Sequence, residues 1–245
     1  MKILFCSSEA VPFAASGGLG DVAGSLPKNL VARGQDVRVI LPLYGQIKEK
    51  YGDELKFVDS FNVSLGWRNQ YCGLFTMDYE GVTYYFVDNE FYFYRQTLYG
   101  YGDDGERFAF FSKAILEMLV NIDFYPDIIH TNDWQTALTP VYYSAMYANS
   151  PGYENIKTIF TIHNIQYQGI YGKEVLEDVI GIPQEHASLL EYDGCVNFMK
   201  GAVETADLVT TVSETYAREL MYPYYAHGLD GVLSAAAWKL TGITN

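Results

Sequence analysis

The sequence lacks any long apolar run: no stretch of ~18 consecutive apolar residues occurs, so we expect no membrane-spanning helix. Basic residues are also scarce, with 16 Lys and Arg against 30 Asp and Glu, and the formal net charge is −14. Such an acidic surface repels other polyanions. We therefore expect neither nucleic acid nor an anionic membrane as the main partner.

Cysteines are few and scattered, at Cys6, Cys72 and Cys195. Their odd number and wide separation predict buried, reduced thiols, and no metal-ligand spacing is present. The chain also lacks internal repeats, low-complexity segments and linkers, which predicts one domain. Its N-terminus passes into an apolar run at residues 3–6 without a small-residue cleavage site, which predicts a mature, cytoplasmic protein.

Two familiar phosphate-binding patterns are missing from a glycine-rich stretch at residues 16–22 (SGGLGDV), here called the glycine loop. Gly18, Gly20 and Gly24 are spaced one residue too widely for the dinucleotide fingerprint, and no Gly-Lys-Ser/Thr follows as in a P-loop. The loop still joins an apolar strand to a helix, so its N–H groups and the helix dipole favour an anionic ligand, a phosphate. The alternative is a glycine turn that only lets strand and helix pack.

The order of predicted elements favours an α/β fold with parallel strands. Residues 3–6, the helix after the glycine loop and residues 37–41 form one βαβ unit. Alternating runs within 57–88 predict a β-hairpin inserted into this frame. The Tyr- and Gly-rich segment 90–102 is typical of either a binding loop or a packed connection.

Polar residues recur where the predicted apolar strands end, at Glu9, Asp133, His163 and Ser213. Ligands of an open parallel sheet bind outside the carboxyl ends of its strands, so four such ends favour a site. A single histidine such as His163 would more often be a satisfied structural group. Asp133 and Ser213 are also expected to cap the helices that follow them.

Composition alone leaves the chemistry open. The sequence does not identify a Ser/His/Asp triad or a Cys/His dyad. Because carboxylates are plentiful, glycoside hydrolysis by two carboxylates stays an alternative. Aromatic residues make up 16% of the chain, with 22 tyrosines. Tyrosine faces stack on sugar rings, although most of these residues can simply fill half-buried positions. The residues alone therefore indicate an acidic α/β domain with a ligand crevice.

Several motifs follow one another along the chain: SGGLGDV at 16–22, LYG at 98–100, HTNDW at 130–134, FTIHNI at 160–165, NFMKG at 197–201 and GLDG at 228–231. Together they resemble the N-terminal domain of bacterial glycogen synthases and plant starch synthases. Those enzymes transfer glucose from ADP-glucose to the non-reducing end of an α-1,4-glucan, with retention and without a metal or other cofactor. The resemblance implies a Rossmann-like parallel sheet with helices on both faces, the acceptor-side half of a GT-B glycosyltransferase, over residues 1–245.

The resemblance also implies roles for single residues. Gly17 and Gly18 would bring N–H groups to the donor diphosphate, and Asp21 would shape their loop. His163 would hold the transferred glucose in a catalytic role, with Asn164 supporting it.

Three further positions complete the implied site. Asp133, also catalytic, and Tyr99 would line the sugar and acceptor side, and Asn245 aligns with an asparagine at the crossing into a second domain. Ala15 departs from the family pattern, which has a lysine that contacts donor phosphate. Losing that ammonium removes a charge-assisted contact of roughly 1.5–3 kcal/mol, on the order of a hundredfold in affinity or rate.

The C-terminal domain, which in the family carries most of the nucleotide pocket, is absent from the chain. Residues 240–245 begin another apolar strand, so we expect a part of a longer protein that is inactive alone. Expected partners are ADP-glucose, the glucan acceptor and the missing domain. The alternative is a non-catalytic glucan-binding or scaffolding homologue, favoured by Ala15 and the tyrosines. A UDP-sugar-using relative shares the fold but fits the motifs less well.

Overall fold

The computed structural model of the chain describes residues 1–244. Its strands fall into a large sheet and a small one. The large sheet contains β1 (Lys2–Cys6), β2 (Asp36–Pro42), β3 (Lys56–Leu65), β4 (Arg68–Tyr79), β5 (Val82–Asp88), β6 (Ile128–Asn132), β7 (Lys157–Ile162), β11 (Leu208–Thr211) and β12 (Leu240–Gly242). The small sheet contains β8 (Ile170–Tyr171), β9 (Glu191–Tyr192) and β10 (Cys195–Asn197).

Helices connect most of these strands. The α-helices are α1 (Gly18–Ala32), α2 (Gly45–Tyr51), α3 (Glu90–Phe93), α4 (Asp104–Glu117), α5 (Leu138–Tyr142), α6 (Phe198–Thr205), α7 (Glu214–Glu219), α8 (Pro223–Ala226) and α9 (Asp230–Ala235). Short 3₁₀ turns span Met118–Val120, Trp134–Thr136, Gln184–Leu189 and Ala237–Lys239, and π turns span Tyr143–Tyr147 and Leu176–Ile180.

The large sheet has the order β12-β11-β7-β6-β1-β2-β5-β4-β3. Every pair from β12 to β5 is parallel, and β4 and β3 add an antiparallel edge. β1 lies at the centre, where Ile3 to Cys6 are all buried although successive side chains point to opposite faces. Both faces of the central sheet are therefore covered, which agrees with the predicted α/β class.

The predicted hairpin is present but does not stand apart from the frame. β4 and β5 pair antiparallel and turn at Glu80 and Gly81, both of which have positive φ. β5 also pairs in parallel with β2, so the hairpin and β3 extend the main sheet. The parallel sheet expected from the sequence is thus a mixed one, because β4 pairs antiparallel with both β5 and β3.

One of the two predicted helix caps is confirmed. The Ser213 side chain accepts a hydrogen bond from the Tyr216 N–H at the start of α7. The Asp133 cap is wrong, because its side chain makes no capping bond to the 3₁₀ turn that follows. Its carboxylate is used by a different strand end, described below.

All three cysteines are free, and Cys6 and Cys72 are buried as predicted, whereas Cys195 is half-buried. Across residues 1–244, no helix is long and apolar enough to cross a membrane. In the same part of the chain, no group of three or more His, Cys, Asp or Glu side chains is arranged to hold a metal ion.

Packing of α1 against the loop before it depends on Gly24. A Cβ there would lie 2.4 Å from Val11 Cγ2 and 2.7 Å from the Val11 backbone oxygen. We expect Gly24→Ala to lower the free energy of unfolding by roughly 1–3 kcal/mol, measured by urea denaturation, because backbone has to move.

The matched control is Gly231→Ala in α9, where a Cβ meets nothing within 4 Å. It should leave stability unchanged or raise it slightly, since alanine is the better helix former. Equal effects of the two substitutions would contradict this account of α1 packing.

Candidate functional site

The candidate site lies at the edge where the parallel strands end. β11, β7, β6 and β1 are consecutive neighbours running in the same direction, so the segments that follow them meet. From β1 the chain goes to β2 on one side and later returns to β6 on the other. The crevice between the ends of β1 and β6 is therefore a switch point of strand order, where α/β sheets bind ligands. A cleft of about 790 Å³ opens there.

Most of the predicted site residues line this cleft: Gly17, Gly18, Tyr99, Asp133, His163 and Asn164. Ala15, just before the glycine loop, and Asp21, within it, are exposed and are not among the lining residues. Asn245 lies outside the described residues 1–244. Three separate strand ends and the segment after α3 thus converge on one cavity.

The glycine pair at the start of α1 faces open space. The helix begins at Gly18, and Gly17 precedes it in an extended conformation without a side-chain cap. A Cβ at either position would meet no atom of residues 1–244 within 4 Å, whereas one at Gly20 would lie 2.6 Å from Ala15 Cβ. Packing therefore accounts for Gly20 and Gly24. Packing does not account for Gly17 and Gly18. The open space beside them lets a ligand approach the backbone.

The Glu9 carboxylate holds the glycine loop from beneath. It accepts hydrogen bonds from the N–H of Ser16, from the Gly17 N–H at 3.3 Å and from Ser16 Oγ at 3.1 Å. Tyr99 Oη donates to the same carboxylate at 3.1 Å and lies 2.7 Å from Ser8 Oγ. Glu9 is only 4% exposed. One buried carboxyl group thus connects two walls of the cleft.

Asp133 joins the ends of β6 and β7. Its Oδ1 accepts the N–H of His163 at 2.8 Å and the N–H of Asn164 at 3.2 Å. Its backbone adopts a positive φ of 54°, which lets the chain turn directly after β6. Burial raises the pKa of Asp133 to about 7, although the two N–H donors act in the opposite direction. Near neutral pH this carboxyl group is therefore poised between its charged and neutral forms.

His163 is a neutral imidazole with a defined tautomer. Burial lowers its pKa to about 4. Its Nε2 lies 2.9 Å from Asn132 Oδ1, and the Asn132 amide nitrogen already donates to the Cys6 carbonyl at 3.0 Å. With the Asn132 orientation set by that bond, Nε2 is the donor and Nδ1 remains as an acceptor. A hydroxyl group is the kind of ligand that such an acceptor takes.

Segment 90–102, which begins with α3, has the properties of both alternatives predicted for it, a binding loop and a packed connection. Tyr99 and Gly100 line the cleft, as a binding loop would. The same segment is packed from below, because buried Arg107 donates to the Leu98 carbonyl at 3.1 Å and contacts Asp104. Burial raises the pKa of Tyr99 well above its ordinary value, so its phenol is neutral.

Tyrosines divide between the core and the cleft. Tyr44, Tyr84, Tyr92 and Tyr142 are fully buried, so simple packing explains them. Tyr167 lines the cleft and is strongly exposed, and so presents its ring to a ligand.

Charge in the cleft is of one sign. Among the described residues, its lining includes the carboxylates Glu9, Asp104 and Asp133 but no lysine or arginine. Within residues 1–244, only Asp104 of these three has a cationic partner, through its ion pair with buried Arg107. Backbone N–H groups therefore supply the positive potential on this side of the site.

Comparison with known proteins places this geometry in a family. The family model of the starch synthase catalytic domain matches residues 2–235. The chain belongs to this family. Glycogen synthase of Desulforamulus reducens is 51% identical over 247 residues, and that of Clostridioides difficile is 50% identical over 251 residues. Each alignment covers 100% of this chain and 52% of the relative.

A solved structure of the same family has the same fold. The catalytic domain of starch synthase IV from Arabidopsis thaliana, bound to ADP and acarbose, matches with a TM-score of 0.89 at 31% identity. The match covers 100% of this chain and 51% of that one, so the chain spans about half the length of the relatives it matches. The expected fold class, a Rossmann-like half of a GT-B glycosyltransferase, is confirmed.

Sequence reasoning missed several residues that line the cleft of this starch synthase domain. The sequence indicates Glu9 only as a polar strand end, and its motifs do not mark Gln135 or Tyr167 as site residues. Gln135 is 7% exposed, and its Oε1 has no hydrogen-bond partner within the described residues. The position of Gln135, two residues after a predicted strand-end aspartate, was the available signal.

The raised pKa of Asp133 makes a prediction about stability. A carboxyl group whose pKa is higher in the folded state favours folding when protonated, so it lowers stability as pH rises from about 4 to about 7. Asp133→Asn keeps an oxygen for the two N–H donors and removes this penalty. We expect the variant to gain stability over the parent as pH rises through this range, on the order of 1.4 kcal/mol per unit of pKa difference.

Urea denaturation between pH 4 and pH 8 measures this difference, since all other titrating groups are shared. Asp53→Asn, at an exposed carboxyl group, is the control and should follow the parent. A constant offset between parent and Asp133→Asn across the pH range would show that Asp133 does not titrate there.

Proposed function

We propose that the chain is the acceptor-side domain of an ADP-glucose-dependent glycogen or starch synthase, acting with retention on the non-reducing end of an α-1,4-glucan. The observation that carries the proposal is the unobstructed glycine pair, Gly17 and Gly18, in the same cleft as Asp133 and His163. Family membership and relatives named glycogen synthase support it.

The donor diphosphate is assigned to the glycine loop. The first N–H groups of α1 have no partner within the helix, and the helix dipole adds positive potential at the same place. Because the cleft lining among residues 1–244 has no lysine or arginine, we assign further positive charge to the second domain that the family has. Ala15 removes the lysine that the family has beside this loop. Asp21, exposed in the first turn of α1, would shape the loop from outside.

The transferred glucose is assigned to the strand ends of β6 and β7. His163 Nδ1 would accept a sugar hydroxyl, and Asp133 would hold His163 and Asn164 in place through their backbone N–H groups. Tyr99 would line the acceptor side, and Asn245 would lie at the crossing to the second domain.

Transfer without a metal or other cofactor is part of the proposal, as the resemblance to the family implies, and ADP-glucose is a substrate. The expected cytoplasmic location remains a prediction.

The first test uses the gene extended through its second domain. ADP release from ADP-glucose in the presence of glycogen is measured with Ala15 and with Ala15→Lys. We expect the lysine variant to raise kcat/KM for ADP-glucose by roughly tenfold to a hundredfold, because it restores a charge-assisted contact with phosphate.

The 245-residue chain alone is the negative control and should transfer no glucose. Binding of malto-oligosaccharide by both extended proteins without any ADP release would overturn the proposal. The protein would then be a glucan-binding homologue.

A second test concerns the glycine pair. Gly18→Ala should leave the unfolding midpoint unchanged, because its Cβ meets no atom of the chain within 4 Å. In the extended enzyme it should raise KM for ADP-glucose by about tenfold, since a methyl group then stands between backbone and diphosphate. Gly231→Ala is again the control. An unchanged KM for ADP-glucose in Gly18→Ala would show that the donor diphosphate does not bind at this loop.

A further inference from the structure

The glycine loop does not offer all of its N–H groups to the cleft. The Ser16 and Gly17 N–H groups donate to Glu9, and each N–H carries a single hydrogen. Gly20 N–H donates to the Gly17 carbonyl at 3.1 Å. The N–H groups of Gly18 and Leu19, first in α1, have no intrahelical partner. They are the groups that remain for an anion.

Burial supports this division. Ser16, Gly17 and Gly18 are exposed, whereas Glu9 is 4% exposed and lies beneath them. The two N–H groups bound to Glu9 therefore point toward the protein, and a phosphate arriving from the cleft meets the other side of the loop. The same carboxylate also receives the Tyr99 hydroxyl, from the opposite wall.

We propose that Glu9 is the positioning residue of this site. It turns the N–H groups of Ser16 and Gly17 inward, so that those of Gly18 and Leu19 face the donor diphosphate, and it fixes Tyr99 beside them. The proposal rests on the donor assignment above and changes it in one respect. The Gly17 N–H binds Glu9 and not the diphosphate. Gly17 contributes to ligand binding only because it lacks a Cβ and so leaves space beside the backbone.

Substitution can separate two properties of the Glu9 side chain, its hydrogen-bond network and its negative charge. In Glu9→Gln the amide oxygen can accept both N–H groups, while the amide nitrogen can donate to Ser16 Oγ and Tyr99 Oη, which are hydroxyls. Glutamine therefore preserves the network without the charge. Alanine removes all four contacts and leaves the loop without support.

The experiment compares Glu9→Gln and Glu9→Ala in the extended enzyme. We expect Glu9→Ala to raise KM for ADP-glucose by roughly tenfold or more and Glu9→Gln to stay within about threefold of the parent. Glu117→Ala is the matched control, because Glu117 accepts a hydrogen bond from Tyr147 outside the cleft lining. It should not change KM, whatever it does to the unfolding midpoint.

Three results would overturn the proposal. Unchanged KM in Glu9→Ala would show that the carboxylate does not shape the donor site. A lower KM would show that it competes with phosphate. Equal losses in Glu9→Gln and Glu9→Ala would show that the charge, and not the network, is needed.

Amide hydrogen exchange in the 245-residue chain separates this inference from the proposed function. Protection of the Ser16 and Gly17 N–H groups should be lost in Glu9→Ala and kept in Glu9→Gln, whether or not the extended enzyme releases ADP. Protection unchanged in Glu9→Ala would disprove the positioning role. Absence of ADP release from the extended enzyme both with Ala15 and with Ala15→Lys, with protection behaving as expected, would refute the proposed function alone.

Discussion

Buried carboxylates that accept backbone N–H groups hold the cleft in shape. Glu9 connects the end of β1 to the glycine loop and to Tyr99, and Asp133 connects the end of β6 to the end of β7. A carboxyl group buried without such donors would be strongly unfavourable, so these two side chains depend on the loops whose N–H groups they accept. The positions of the other residues that line the cleft depend on where these hydrogen bonds hold the loops.

Features that depend on neighbouring residues in the chain could be predicted from the sequence. The strand before the glycine loop, the helix after it and the Ser213 cap follow from local spacing and residue type. The convergence of Asp133, His163 and Tyr99 was also predictable in part, because parallel strands end at one edge of a sheet. For Tyr99, family resemblance supplied what spacing could not.

Features that depend on distant partners could not be predicted. The Asp133 carboxylate looked like a helix cap, yet its donors lie 30 and 31 residues further along the chain. The pairing of β5 with β2 leaves no local signal, so the hairpin looked like a separate insertion. Likewise, nothing near Glu9 in the sequence shows that Ser16, Gly17 and Tyr99 share its carboxylate.

The open space beside Gly17 and Gly18 has a consequence for how damage to this protein would show itself in a cell. Cellular quality control removes chains that unfold, and it responds to positions such as Gly24, where an added methyl group meets backbone. At the glycine pair an added methyl group meets nothing, so an altered chain would pass that control and accumulate. Only selection on function would act against it.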